Sequence, residues 1–315
     1  MTPGFEHMIG ELQAGLGPDR VRTNAPLAPL TTFQVGGPAD VLAEVRTSAE
    51  LASVVRIARR HRVPTTLLGG GSNVLVADGG VRGLVIRSRG GDIGQPEERL
   101  VRADAGVTIN GLVRWTISHG LGGLQAWAGT PGTVGGAVWG NAHFGGRLIG
   151  ERVAAVGLLA SDGSTIRLPT GAMEFGYDAS RIQRTGEVAL WVDFQVTPGG
   201  DPAALRLAAR QSLAFRKRTQ PLHRPSAGCV FRNPDPERDG LPAGVPASAG
   251  ALIDSAGLKG RRIGGALVSE THGNFIVNAG GATAADIRAL VRLCRETVAA
   301  RFGVSLREEI TYVGE

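Results

Sequence analysis

Leu67-Leu68-Gly69-Gly70-Gly71-Ser72-Asn73-Val74-Leu75-Val76 sets three consecutive glycines between two short apolar runs that read as strands. A turn built from glycine lets bare backbone approach a ligand closely. Successive N–H groups that no side chain obstructs form a concavity suited to a phosphate or pyrophosphate. Ser72 and Asn73 add hydrogen-bonding side chains at its edge. The stretch has no Gly-Lys-Ser/Thr ending and opens no helix, so it matches neither the P-loop nor the dinucleotide fingerprint. Taken alone it is equally a glycine-rich hairpin without a ligand.

The residues around it supply context. Upstream, 41–45 reads as a strand, and Thr47 and Glu50 have capping-box spacing. Leu51, Val54, Val55 and Ala58 follow at helical period and predict a helix over 48–61. With the strand that begins at Thr65, this makes a strand–helix–strand unit ending at the glycine loop, where α/β folds place ligands. Downstream, Asp78-Gly79-Gly80 reads as a hairpin turn into a strand at 84–86. Residues 90–98 read as a polar connection, 100–105 as a strand, and Thr108 as the cap of a helix that stops at Gly120.

A second glycine-rich segment runs Ala128-Gly129-Thr130-Pro131-Gly132-Thr133-Val134-Gly135-Gly136-Ala137, with Asn141 just beyond. Thr133 can cap a helix whose small residues let a flat ligand lie against its backbone. Tight packing of a small-residue helix on a sheet is the structural alternative. Two such segments in one chain favour a large dinucleotide over a single phosphate.

Further on, 153–168 reads as a hairpin and 188–196 as a strand, and the turn cluster 198–202 as a domain boundary. A helix over 203–218 ends in Arg216-Lys217-Arg218, either a solvated helix end or a phosphate contact. The proline-rich 234–246 reads as a surface loop, 247–256 as a short helix, and 262–268 and 274–277 as strands. Thr283 caps a last helix with Ile287, Leu290, Val291, Cys294 and Val298 on one face, where Cys294 packs as a small hydrophobe. A closing strand through Ile310 and Tyr312 carries Glu308 and Glu309.

Composition narrows the class. A chain of 315 residues with 42% hydrophobic and 20% charged residues has the balance of a globular protein with room for two or three domains. The 48 glycines follow no collagen period and imply many tight turns. Net charge is +6, but only Lys217 and Lys259 of the 34 basic residues are lysine, and no basic tail or aromatic-interleaved basic stripe appears. This argues against nucleic acid and is compatible with an anionic ligand. Two cysteines make no disulfide framework and suit a reducing compartment. With no leader and no apolar run of membrane length, the chain reads as cytoplasmic, without a membrane partner. No metal-ligand spacing is evident.

Read together, TTFQVGGPAD, LLGGGSNVLV, AGTPGTVGGAVWGN, FGYDAS, PSAGCVFRNP, AGALIDSAGLKGRRIGGALVSETHGNFIVN and LREEITYVG resemble the UDP-N-acetylenolpyruvoylglucosamine reductases from Thr31 to Gly314, in their shorter subtype. The resemblance implies an α+β chain. It has a two-lobed FAD-binding domain of the vanillyl-alcohol-oxidase (PCMH) type over 31–198, with lobes of about 31–88 and 89–198. An N-terminal segment 1–30 precedes it, and an α+β substrate domain over 203–303 and a C-terminal strand over 304–315 follow. The implied reaction is NADPH-dependent, FAD-mediated reduction of UDP-N-acetylglucosamine enolpyruvate to UDP-N-acetylmuramate in peptidoglycan precursor synthesis. A monomer is the favoured state.

By the same resemblance, Gly69, Gly70, Gly71, Ser72 and Asn73 hold the FAD pyrophosphate. Gly129, Thr130, Pro131, Gly132, Thr133, Gly135, Gly136, Ala137 and Asn141 line the rest of the cofactor. Cys229 stands where the family has its proton donor, commonly serine, and Glu309 matches a glutamate that stabilises the intermediate. Tyr177, Asn233 and His272 match substrate contacts, and Arg218 substitutes for a basic residue whose position is taken by Thr219. One departure is central: Asp178 stands where the family has a stabilising arginine. An aspartate cannot take that role, and Arg181, three residues on, is the replacement favoured here, with a surface location as its alternative. Two other classes compete: a different FAD-linked oxidoreductase on the same scaffold, and a non-catalytic nucleotide-sugar binder.

Overall fold

The computed structural model of the chain describes residues 3–241, 244 and 247–314. Part of the expected 234–246 loop therefore lies outside the described residues. The chain forms two compact units that interleave in sequence. The first holds the residues up to Asn24 with Asp40–Gly70 and Gly83–Phe215; the second holds Ala25–Ala39, Gly71–Arg82 and the residues from Arg216 on.

The first unit has two hydrophobic cores. A four-stranded sheet has the order Val21–Pro26, Pro38–Val45, Val81–Ser88, Thr65–Leu68, and the last two strands run parallel. On its core lie the helices Pro3–Leu16, through Met8, Leu12 and Leu16, and Ser48–Arg60, through Leu51, Val54, Val55 and Ala58. The apolar period foretold that second face, and Thr47 caps the helix by accepting the N–H of Glu50 at 3.1 Å. The helix Pro3–Leu16 is thus packed into this core.

The other core lies against an antiparallel sheet ordered Thr165–Pro169, Val153–Leu159, Val188–Gln195, Leu100–Asp104, Ile93–Glu97. The helices Ile109–Ser118 and Val134–Trp139 cover it, capped by Thr108 and Thr133. The strand Ile93–Glu97 corrects the expected polar connection. It is an exposed edge strand with Pro96 and a register shift, features an edge tolerates and that hide the alternation.

The second unit places the helices Ala249–Ser255 and Ala284–Phe302 in one core with the antiparallel strands Arg262–Ile263, Ala266–Val268 and Ile276–Asn278. Thr283 and Asp286 form a full capping box, and Cys294 is 1% exposed on the buried face. The strand Val74–Val76 pairs in parallel with Thr311–Val313. Asp78-Gly79-Gly80 therefore closes no hairpin: the strands on its two sides pair with different partners. The division between units also falls away from 198–202. It lies between Phe215 and Arg216, inside the helix Pro202–Thr219, where turn residues give no signal.

Candidate active site

In the first unit the two glycine-rich segments meet backbone to backbone. A Cβ on Gly69 would lie 2.3 Å from Thr133 Oγ1, and one on Gly70 would lie 2.6 Å from Gly132 Cα. Neither distance admits a side chain. Asn110 fastens the neighbouring turn by accepting the N–H of Gly129 at 2.7 Å and donating to the Thr130 carbonyl at 3.2 Å. The N–H of Ile109 reaches the Gly132 carbonyl at 3.1 Å, and Thr133 Oγ1 accepts the N–H of Gly136 at 3.4 Å. Gly135 sits on the sheet, its N–H donating to the Ala105 carbonyl at 2.9 Å. Among the described residues, the N–H groups of Gly70, Gly71, Ser72 and Asn73 donate to no protein acceptor. A run of such donors on glycine backbone fits the pyrophosphate of a dinucleotide.

The Asn141 side chain is engaged within the protein. It is fully buried, accepting the N–H of Gly150 at 2.9 Å and donating to the Gly176 carbonyl at 2.7 Å. Its amide joins two loops. One carries His143, in the small hairpin His143–Phe144 with Arg147–Leu148, and the other carries Tyr177 and Asp178. Asp178 is 7% exposed, with φ at 51°, and its Oδ1 lies 3.0 Å from His143 Nδ1. The Tyr177 ring, 43% exposed, stands 4.9 Å from the His143 ring. Arg181 is placed otherwise than expected. Its Nε and one terminal nitrogen bind both carboxylate oxygens of Glu187, whose side chain is 7% exposed, at 2.9 and 3.1 Å. Each partner favours the other's charged form: Glu187 holds the guanidinium pKa up, and Arg181 holds the Glu187 carboxyl below its usual range. That fork is neutralised, and it anchors the turn after the Tyr-Asp-Ala-Ser motif.

In the second unit, residues 229–231 form a ladder between two segments. Cys229 bridges Phe275, and Phe231 bridges Glu308. The N–H of Val230 donates to the Asn274 carbonyl at 2.9 Å, and the N–H of Glu309 donates to the Val230 carbonyl at 2.8 Å. Asn274, 2% exposed, accepts the Phe231 N–H and donates to its carbonyl at 2.9 and 2.7 Å. Gly228, at φ 81°, supplies the left-handed turn just before Cys229. Cys229 and Glu309 are thereby set on adjacent strands of one ladder, both half-buried. Asn73, in the same unit, donates to the Glu309 carbonyl at 3.2 Å, and its own carbonyl accepts the Thr311 N–H at 2.9 Å.

The sequence reading named Arg216 only as a member of the basic cluster 216–218 and favoured Arg218. Arg216 is 5% exposed and interacts electrostatically with Cys229, and burial pulls its guanidinium down to about 10. Lys217 and the expected Arg218 are exposed. The available signal was periodicity: Ala209, Ser212 and Arg216 lie on one face of the helix Pro202–Thr219. His272 is also half-buried. Its Nδ1 accepts the Asn274 N–H at 3.2 Å and its edge meets Phe275 at 5.0 Å. Burial, then Lys259, lowers its pKa, which favours the neutral ring. Asn233 Oδ1 accepts the Ala249 N–H at 3.1 Å, tying this segment to the helix Ala249–Ser255.

Comparison with known proteins accords with both units. Residues 39–169 match the family model of an FAD binding domain, and residues 220–313 that of the UDP-N-acetylenolpyruvoylglucosamine reductase C-terminal domain. The UDP-N-acetylenolpyruvoylglucosamine reductase of Moorella thermoacetica is 42% identical over 98% of this chain and 98% of its own length. That of an Anaeromyxobacter species is 43% identical over 99% and 94%. The crystal structure of the enzyme of the same name from Thermus caldophilus superposes with a TM-score of 0.74 at 34% identity, covering 93% of this chain and 98% of the other. The chain therefore belongs to the UDP-N-acetylenolpyruvoylglucosamine reductase family.

Proposed function

We propose that the chain reduces UDP-N-acetylglucosamine enolpyruvate to UDP-N-acetylmuramate, with Cys229 as proton donor. The observation that carries the reading is the ladder that holds Cys229 and Glu309 on adjacent segments, with the buried Arg216 interacting electrostatically with the thiol. Gly69 to Asn73 and Gly129 to Ala137 would hold FAD. The chemistry that bound FAD supplies is hydride relay from NADPH to the enolpyruvyl methylene carbon. Addition there leaves negative charge on the adjacent carbon and its carboxylate, and that charge needs an electrostatic partner and then a proton. Cys229 gives its S–H proton to that carbon. The resulting thiolate is stabilised by Arg216 and recovers a proton from solvent. Glu309, on the neighbouring strand, is the second group acting on the intermediate. Tyr177, Arg218, Asn233 and His272 complete the substrate contacts of this reading.

A monomeric, cytoplasmic enzyme belongs to the same proposal. Neither cysteine is in a disulfide, which fits a reducing compartment, and among the described residues no helix is long and apolar enough to cross a membrane. The test is an absorbance spectrum with NADPH oxidation measured with and without substrate. The expected result is a yellow protein that consumes NADPH in step with UDP-N-acetylglucosamine enolpyruvate. A colourless protein that fails to take up FAD, or one that ignores the substrate, would overturn the reading.

A further inference from the structure

The segment that carries Cys229 is irregular just beyond the thiol. In a regular antiparallel strand the N–H and C=O of one residue face the same neighbour. Val230 departs from that pattern: its N–H donates to the Asn274 carbonyl at 2.9 Å, while its C=O accepts the Glu309 N–H at 2.8 Å on the other edge. The Arg232 N–H continues along that other edge, to the Arg307 carbonyl at 2.8 Å. The N–H and C=O of the buried Phe231 turn back toward Asn274, and what meets them is a side chain. Asn274 Oδ1 accepts the N–H at 2.9 Å, and Nδ2 donates to the carbonyl at 2.7 Å. The amide stands in for a peptide group, and its surroundings fix it in place. Asn274 is 2% exposed, its own N–H is held by His272 Nδ1 at 3.2 Å, and a Cβ on the preceding Gly273 would lie 2.6 Å from the Gly250 carbonyl oxygen. All of these residues belong to the second unit.

We infer that Asn274 is the positioning residue of Cys229: it clamps the two residues after the thiol and so fixes where the S–H proton is presented. A shift of about 1 Å at a reacting group is enough to cost about 10² in rate. A backbone bond would serve any residue at 274, whereas this clamp needs an acceptor and a donor side by side, which an amide supplies. The inference rests on the reaction proposed above and deepens its proton-transfer step.

The experiment uses FAD-loaded enzyme in single turnover, with Asn274→Ala and, as a variant of nearly the same volume, Asn274→Asp. Reduction of the flavin by NADPH should stay at the wild-type rate in both. Product formation should fall by about 10²-fold in Asn274→Ala, and by a smaller factor in Asn274→Asp, which keeps the bond from the Phe231 N–H. Combined with Cys229→Ala, the Asn274→Ala substitution should slow product formation no further, because the group it positions is already gone. Independently of turnover, alkylation of Cys229 should quicken about tenfold in Asn274→Ala, the weight of a lost hydrogen bond, while Cys294 stays unmodified and so reports an intact fold. A purely structural role predicts a lower denaturation midpoint with wild-type product formation in the folded variants, or an equal loss with and without Cys229. Either result, or an unchanged alkylation rate, would overturn the inference. If the wild type itself fails to turn over with NADPH and substrate, the proposed reaction falls, and the alkylation rates alone decide whether Asn274 holds Cys229.

Discussion

The glycine cradle of the first unit and the Cys229 ladder of the second are built on opposite principles. In the cradle the chemistry belongs to the backbone. A Cβ at Gly70 would lie 2.6 Å from the Cα of Gly132, so one residue type fits. In the ladder the backbone would carry many residue types at position 229, and chemistry depends on the side chain and the charge facing it. The two sites therefore tolerate change differently. A backbone site accepts no substitution. A side-chain site can exchange its residues provided that a proton and a charge are still supplied, as with cysteine where serine is common.

That contrast can be broken most easily at the cradle. Gly70→Val should fold, by circular dichroism, yet purify almost without flavin, because Gly132 backbone cannot give way. Full yellow occupancy in the variant would remove the cradle from the cofactor site. The two thiols sharpen the contrast at a smaller scale. Alkylation of the native protein should modify the half-buried Cys229 and spare Cys294.

Cys294 also gives a pH signature. Burial pushes its thiol up to about 12 from an ordinary value near 9.0. Above that ordinary value the unfolded chain releases the proton while the folded chain keeps it. Stability from this group is therefore complete below pH 9.0 and is lost as pH rises from there toward 12. Denaturation midpoints should fall more steeply over that range in the wild type than in Cys294→Val; equal slopes would contradict the assignment. The smallest effect is expected at Arg181. With its charge matched by Glu187, Arg181→Ala should leave reoxidation by substrate close to wild type, far from the about 10²–10³-fold loss of a missing transition-state partner. A loss of that size would give Arg181 the cationic role.

Legibility in the sequence follows the same contrast. The glycine segments, and the caps at Thr47, Thr108, Thr133 and Thr283, were readable because each rests on local backbone demands that few residue types meet. The edge strand Ile93–Glu97 was hidden because a solvent-facing edge needs no apolar alternation. The interleaved units were hidden because the chain divides within a helix rather than at a turn. At the candidate site, Cys229 and Glu309 were singled out through the motifs around them. The burial of Arg216 and the contact of His143 with Asp178 were not legible: a basic run does not say which member is buried, and nothing in a linear reading links His143 to Asp178 across 35 positions.

The central claim is that Cys229 supplies the proton, and single-turnover kinetics of Cys229→Ala test it most directly. NADPH should reduce the flavin of this variant at the wild-type rate, while UDP-N-acetylmuramate formation falls by about 10²–10⁴-fold, the contribution of a positioned acid. Cys229→Ser should restore product formation. Product formation by Cys229→Ala at the wild-type rate would mean that the proton comes from another group, and the account of the ladder would be wrong.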